Sequence, residues 1–128
     1  MTKNLHDLAT LHHIHITWHI GGPKGAWLPS IRQISLRAGM SDTQTLCTLA
    51  HELGHALQRH HACSDGKQER QADKWAANTL ITIDEYAQAE ILHDGHPGAI
   101  ADELGVTRHL VEAWQSIYEN QLTLRKAA

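Results

Sequence analysis

The sequence has no phenylalanine, and its 128 residues include two cysteines and no apolar run long enough for a membrane-spanning helix. Two cysteines, Cys47 and Cys63, cannot build a disulfide framework, and a transmembrane helix needs about 20 consecutive apolar residues. The amino terminus is polar and lacks the apolar core of a secretory signal. We therefore expect a cytoplasmic protein with reduced thiols and no association with a membrane.

Strong charge of one sign is also missing, because the formal net charge is −3 with neutral histidine. This balance argues against a protein built mainly to bind nucleic acid, since such proteins present a strong positive field. Apolar residues make up 41% and charged residues 20% of the chain, as in a soluble globular protein. The length fits one domain, or one small domain with an appendage.

Histidine, in contrast, is abundant, with 12 residues in the chain. His51 and His55 are four residues apart, so a helix would place both imidazoles on one face, one turn from each other. Glu52 projects about 100° around the helix from His51, where its carboxylate can take a proton from water beside a metal ion. This is the His-Glu-x-x-His arrangement of zinc peptidases. A chance match in a solvated, histidine-rich helix is the competing interpretation.

The residues around this motif favour a buried helix. Apolar side chains recur at helical spacing, and Ser41 supplies a start signal. Gly54 inside the helix costs about 1 kcal/mol relative to alanine, which suggests that another backbone approaches there. Cys47 lies one turn before His51, and we expect it to be a buried small side chain rather than a ligand. His60 and His61 follow the helix, where they suit the negative end of the helix dipole, with a role near the transition state as the alternative.

A zinc peptidase needs a third protein ligand, and a second predicted helix over residues 67–80 offers two candidates. Glu69 and Asp73 are four residues apart and share one face of that helix. Glu69 can bind the metal, while Asp73 can accept the N–H of a ligand histidine and fix its tautomer. A turn through residues 64–66 would return this helix antiparallel to the first. The alternative is that both carboxylates belong to a solvated charged face.

The sequence HELGHAL, followed by an ExxAD helix that continues Trp-Ala-Ala, resembles the ImmA/IrrE family of small metallopeptidases. More broadly it resembles the thermolysin-like zincins with a glutamate third ligand. The resemblance implies metal ligands at His51, His55 and Glu69 and a general base at Glu52. It also implies one divalent metal, zinc with manganese as the alternative. The implied substrate is a helix-turn-helix repressor, whose cleavage derepresses genes of a mobile element or a stress response.

The amino-terminal third is predicted to be a helix over residues 3–13 and a small antiparallel sheet. Residues 14–20 alternate between apolar and polar, and shorter strand patterns follow at 25–28 and 33–37. The first strand would point four side chains inward: Ile14, Ile16, Trp18 and Ile20. We expect this sheet to pack on the motif helix, with the 33–37 strand or the Trp27 region pairing with an extended substrate. The fold class is therefore α+β.

The remaining chain is predicted to be mainly helical. Thr82 opens a capping box, and in the helix that follows Tyr86 is a candidate oxyanion stabiliser, with packing in the core as the alternative. Residues 97–116 have the spacing of a helix-turn-helix. We divide the chain into a minimal peptidase core, residues 1–95, and a helix-turn-helix-like segment, residues 96–128, packed on that core.

The helix-turn-helix-like unit raises a second functional hypothesis. If its second helix read DNA, the exposed positions would be Thr107, Arg108, His109 and Glu112. One arginine near a glutamate is poor for phosphate binding, so we favour a structural or partner-docking use. The alternative function is a non-catalytic, metal-containing regulatory protein that binds DNA or a repressor through these helices. The sequence does not indicate the oligomeric state, the cleavage site or the activating signal.

Overall fold

The structure, a computed structural model, describes residues 4–61 and 65–127, with side chains through Glu119. Cys63 and part of the predicted 64–66 turn lie outside the described residues. The described residues form six helices and one three-stranded sheet, which confirms the α+β class. Within these same ranges, no helix combines the length and apolar character that crossing a membrane requires.

The amino-terminal part consists of one helix and the sheet. Its elements are α1 (Leu5–Leu11), β1 (His15–His19), β2 (Gly25–Leu28), one 3₁₀ turn (Pro29–Ile31) and β3 (Gln33–Arg37). The strand order is β1-β3-β2, with β1 parallel and β2 antiparallel to β3. The prediction of a wholly antiparallel sheet is therefore wrong for the β1–β3 pair. The glycine-rich segment after β1 does not close a hairpin, and the chain instead enters the sheet at its far edge before β3 fills the centre.

The position of β1 at one edge of the sheet also limits how much of it is buried. Ile14 is buried and Ile16 packs partly against the core, as the alternation predicted. Trp18 and Ile20, however, are 55% and 97% exposed. The inward prediction for these two side chains is wrong because the core does not extend beneath the end of this edge strand.

Helix α2 (Asp42–Leu57) lies between the sheet and helix α3 (Gly66–Leu80), and α2 begins at the predicted start signal, whereas the cap of α3 falls in the predicted turn. The Ser41 side chain accepts a hydrogen bond from the Gln44 N–H at 3.1 Å, and Asp65 accepts one from the Gln68 N–H at 2.9 Å. Such caps satisfy N–H groups that have no partner within the helix. The buried stripe of α2, which includes Leu53, makes this helix the centre of the apolar core.

The carboxy-terminal helices are α4 (Ile83–His93), α5 (Pro97–Leu104) and α6 (Arg108–Ala127). The predicted cap is present, since the Thr82 hydroxyl accepts a hydrogen bond from the Glu85 N–H at 3.2 Å. Helices α5 and α6 are joined through Gly105, whose φ of 69° suits glycine. Helix α6 packs against α3 and α5, so the helix-turn-helix-like segment lies beside the helix that carries the predicted third ligand. The division of the chain at residue 95 stays a prediction.

Candidate metal centre

A cleft of about 730 Å³ opens over the middle of α2. One wall is residues 24–28, which include all of β2, and the opposite side is formed by α3 and by the beginning of α6. Strand β2 is at the edge of the described sheet, whereas β3 has a partner on each side. Of the two regions predicted to pair with substrate, the 33–37 strand has both edges occupied, and the strand that carries Trp27 is the one beside the cleft.

Three predicted ligands converge on the floor of this cleft. The Nε2 atoms of His51 and His55 lie 3.1 Å apart. Oε2 of Glu69 lies 2.8 Å from Nε2 of His51, and Oε1 of Glu69 lies 3.3 Å from Nε2 of His55. The side chains come from two helices, and their meeting requires the close packing of α2 on α3. The structure therefore brings together the three residues that the sequence singled out as ligands.

The chemistry and spacing of these donors fit a divalent metal ion. Bonds of about 2.0–2.1 Å in a tetrahedral zinc site place neighbouring donor atoms about 3.3 Å apart, close to the three separations seen here. Two imidazoles and one carboxylate are also a ligand set that zinc peptidases use. Donor atoms of His51, Glu52 and His55 form a group within 4.8 Å of one another, so the glutamate of the motif stands beside the same point.

Asp73 contacts His51 from the side away from the ligand cluster. Its Oδ1 lies 2.8 Å from Nδ1 of His51, and its Oδ2 lies 3.0 Å from Nε2 of His109. Because a carboxylate only accepts, the His51 ring must carry a proton on Nδ1, which leaves Nε2 for the metal. Burial would raise the pKa of Asp73, but hydrogen bonds and charge interactions with these two histidines hold it below its ordinary value.

The electrostatics of His51 follow from the same contacts. Burial alone would lower the pKa of His51, but the hydrogen bond to Asp73 and the negative charges of Glu52 and Asp73 outweigh it, with a smaller contribution from Glu69. The result is a pKa of about 9. His55 behaves in the opposite way, because burial and the nearby charge of His51 lower its pKa. In the metal-free state, the His51 ring therefore carries a second proton, on Nε2, and this proton lies between the donor atoms.

Glu52 is buried on the floor of the cleft, at 6% exposure. Burial raises its pKa to about 7, an effect that positive charge on His51 opposes and negative charge on Glu69 reinforces. A carboxylate that titrates near neutral pH can take a proton and return it at that pH. Gly25 of β2 lies against it, and a β-carbon there would stand 3.0 Å from Cγ of Glu52 and 2.6 Å from Cγ2 of Thr48.

Three histidines outside the predicted ligand set contact the site, and one of them, His61, lines the cleft with an exposed side chain. His109 lines the cleft and holds Asp73, and His60 is buried with its Nδ1 2.8 Å from Nδ1 of His55. His109 lies 36 positions from Asp73, so only the fold brings them together. The contact of His60 could have been predicted from local spacing, because His60 lies five residues after His55 and just beyond the end of the helix.

Tyr86 is the predicted site residue that the structure places elsewhere. Its side chain is 2% exposed and stacks on Trp114, with ring centroids 4.3 Å apart, and it does not line the cleft. Burial raises its pKa to about 12. The oxyanion interpretation is therefore replaced by its alternative, core packing. Cys47 is also buried, as expected, and its Sγ accepts a hydrogen bond from the Thr107 N–H at 3.4 Å.

Comparison with known proteins agrees with this geometry. The model of a peptidase family described as the IrrE N-terminal-like domain matches residues 9–113, a range that contains every residue of the cleft. No curated protein matches the sequence. Since the match covers well over half of the chain and the donor group fits a metal, the chain belongs to the ImmA/IrrE family of metallopeptidases.

Proposed function

We propose that the protein is a zinc-dependent endopeptidase that cleaves a helix-turn-helix transcriptional repressor and so derepresses genes of a mobile element or a stress response. The observation that carries the peptidase proposal is the convergence of His51, His55 and Glu69 beside a buried Glu52 in an open cleft. The repressor part rests on the family resemblance. A repressor substrate also implies that the protein works in the cytoplasm.

Each of the proposed site residues has a separate role in peptide hydrolysis. His51, His55 and Glu69 would hold the metal, and Asp73 keeps His51 in the tautomer that leaves Nε2 free. When bound, zinc supplies Lewis acidity for the scissile carbonyl and lowers the pKa of water. Glu52 takes a proton from the attacking water and returns it to the leaving amine, and the burial that raises its pKa in the metal-free protein makes it a stronger base for this transfer.

The walls of the cleft suit an extended peptide segment. Strand β2 is hydrogen-bonded to β3 on one side and lines the cleft, so a substrate segment can add to its other edge through backbone hydrogen bonds. Thr107, His109 and Leu110 form part of the opposite side. We propose that the substrate is bound as an exposed loop or linker of the repressor, held between β2 and the beginning of α6.

Zinc is the proposed metal because two histidines and one glutamate are a common ligand set for catalytic zinc. Manganese remains the alternative because imidazole and carboxylate donors also bind it. Activity restored to chelator-treated protein by zinc, and not by equimolar manganese, would support zinc. Restoration by manganese alone would replace zinc in the proposal.

The alternative function, DNA binding by the carboxy-terminal helices, has less support from the same contacts. Of the four positions expected to face DNA, Thr107 and His109 line the cleft, and His109 contacts Asp73. Arg108 pairs with Glu112 on the next turn at 2.8 Å, so the positive charge of this arginine is neutralised within the helix. We therefore propose that the amino-terminal end of α6 contacts substrate protein rather than nucleic acid.

The test of the proposed function is cleavage of candidate helix-turn-helix repressors from the same genome by zinc-loaded protein, with mass spectrometry to locate the cut. Glu52→Gln should abolish cleavage and retain zinc, because an amide cannot take the proton. Glu85→Gln, the same change at an exposed glutamate at the start of α4, is the matched control and should cleave normally. A Glu52→Gln variant as active as the wild type would refute the mechanism.

A further inference from the structure

The turn that ends α2 brings a buried histidine back onto one of the proposed metal ligands. The His60 N–H donates to the His55 carbonyl at 2.9 Å, and the Arg59 N–H donates to the Ala56 carbonyl at 3.2 Å. This pair of bonds, five and three residues apart, defines the Schellman motif. In that motif the residue two beyond the helix cap contacts the residue three before it, and these residues are His60 and His55.

The backbone conformation of Arg59, which precedes His60 in this turn, shows that the turn is stabilised by other contacts. Arg59 has a φ of 59°, a left-handed conformation that glycine adopts freely and other residues adopt at a cost in backbone free energy. Glycine is the usual residue at this position of the motif. The turn forms here with arginine, so interactions elsewhere in the turn offset the strain. The contact between the two histidine rings is one such interaction.

The hydrogen bonds of His60 determine which of its nitrogens carries a proton. Its Nε2 lies 2.9 Å from Oε1 of Gln71, an oxygen that only accepts, so Nε2 carries the proton. In a neutral ring, Nδ1 of His60 is then an acceptor, and it lies 2.8 Å from Nδ1 of His55. The His55 ring must therefore donate from Nδ1. Its Nε2 then carries the lone pair, which faces Nε2 of His51 at 3.1 Å and is the atom available to a metal.

We propose that His60 is a positioning residue that orients His55 and fixes its tautomer for metal binding. This inference rests on the proposed metal site. Its consequence is that α3 orients both histidine ligands, His51 directly through Asp73 and His55 through the relay from Gln71 to His60. The two contacts differ in chemistry, because Asp73 presents a carboxylate oxygen to His51 and His60 presents a ring nitrogen to His55.

The experiment compares two substitutions that differ in whether they keep an acceptor. His60→Asn places an amide oxygen near the position of Nδ1, whereas His60→Leu fills the space without an acceptor. Zinc affinity, measured by competition with a chromogenic chelator, should fall about 10- to 100-fold in His60→Leu, the range typical for loss of a partner of a metal-bound histidine. It should stay near the wild-type value in His60→Asn. His15→Asn, at an exposed histidine of β1, controls for general loss of histidine and should have no effect.

A second readout reports the tautomers directly. Nitrogen-15 NMR of the imidazoles should place the His55 proton on Nδ1 and the His60 proton on Nε2, in both the metal-free and the zinc-loaded protein. In His60→Leu the fraction of His55 that carries its proton on Nδ1 should fall in the metal-free protein, because only the contact with Nε2 of His51 still favours that tautomer. Urea unfolding of the metal-free variants separates this effect from a general loss of folding.

The outcomes separate this inference from the proposed function. A wild-type protein that binds no zinc would refute the metal site itself. Wild type and His60→Leu with equal zinc affinity would refute only the role of His60. A folded His60→Asn variant that binds zinc as weakly as His60→Leu would also overturn the inference, because the acceptor alone should restore binding.

Discussion

Gly54 lies so close to Ala72 that a β-carbon at position 54 would stand 3.0 Å from the Ala72 carbonyl oxygen and 3.1 Å from its Cα. This is the close backbone approach that the presence of glycine in the motif helix predicted. It is also the contact that brings the proposed ligands of α2 and α3 to one point, because Gly54 precedes His55 and Ala72 precedes Asp73.

Gly54→Ala should therefore destabilise the metal-free protein. Alanine gains about 1 kcal/mol of helix propensity, but overpacking of a fitted contact costs about 1–3 kcal/mol, and the two nearest atoms belong to backbone that cannot rotate away. Zinc affinity should fall as well. Gly66→Ala is the matched control, because its β-carbon would meet only the mobile end of Arg70. Urea unfolding gives both values, and a Gly54→Ala variant at least as stable as the wild type would contradict this packing.

Because Asp73 contacts His51 through Oδ1 and His109 through Oδ2, substitutions of Asp73 and of His109 should affect zinc binding differently. Asp73→Asn removes the charge that supports His51 and should weaken zinc binding about 10- to 100-fold. His109→Ala leaves the bond between Asp73 and His51 in place, so zinc affinity should stay near the wild-type value. Because His109 lines the cleft, the same substitution should raise KM for the protein substrate. An equal loss of zinc affinity in both variants would show that His109 contributes to the metal site itself.

Zinc binding should release a proton from His51. In the metal-free protein the pKa of His51 is raised to about 9, so at pH 7.5 the ring is protonated, and it must lose one proton before Nε2 can bind a metal. Zinc affinity should therefore rise with pH up to about 9 and then level off. Calorimetry in buffers with different ionisation enthalpies counts the protons. Asp73→Asn should release fewer, because it removes the largest contribution that raises this pKa, and release of no proton by the wild type at pH 7.5 would contradict the assignment.

The convergence of the proposed ligands could be predicted from sequence because it depends on local spacing. His51 and His55 are one helical turn apart, and Glu69 and Asp73 share a face of the next helix. The sequence therefore left open only how the two helices pack against each other. The contact of Gly54 with Ala72 determines that packing. Strand positions were found for the same reason, since alternation is a local pattern.

The features that were missed depend on tertiary structure. The parallel β1–β3 pairing and the exposure of Trp18 and Ile20 follow from which strand occupies the centre of the sheet, and alternation carries no information about strand order. His109 reaches Asp73 only because α6 packs against α3. The environment of Tyr86 was equally nonlocal, because its neighbour Trp114 lies on α6.

The most direct test of the account is the zinc content of the purified, zinc-replete protein beside that of Glu69→Ala. Asp84→Ala, at an exposed carboxylate in the first turn of α4, is the control. The account predicts about one equivalent of zinc in the wild type and the control, and little in Glu69→Ala, because two histidines alone leave the site short of the three protein ligands that catalytic zinc uses. A wild-type protein without metal, or a Glu69→Ala variant that holds zinc as tightly as the wild type, would contradict it.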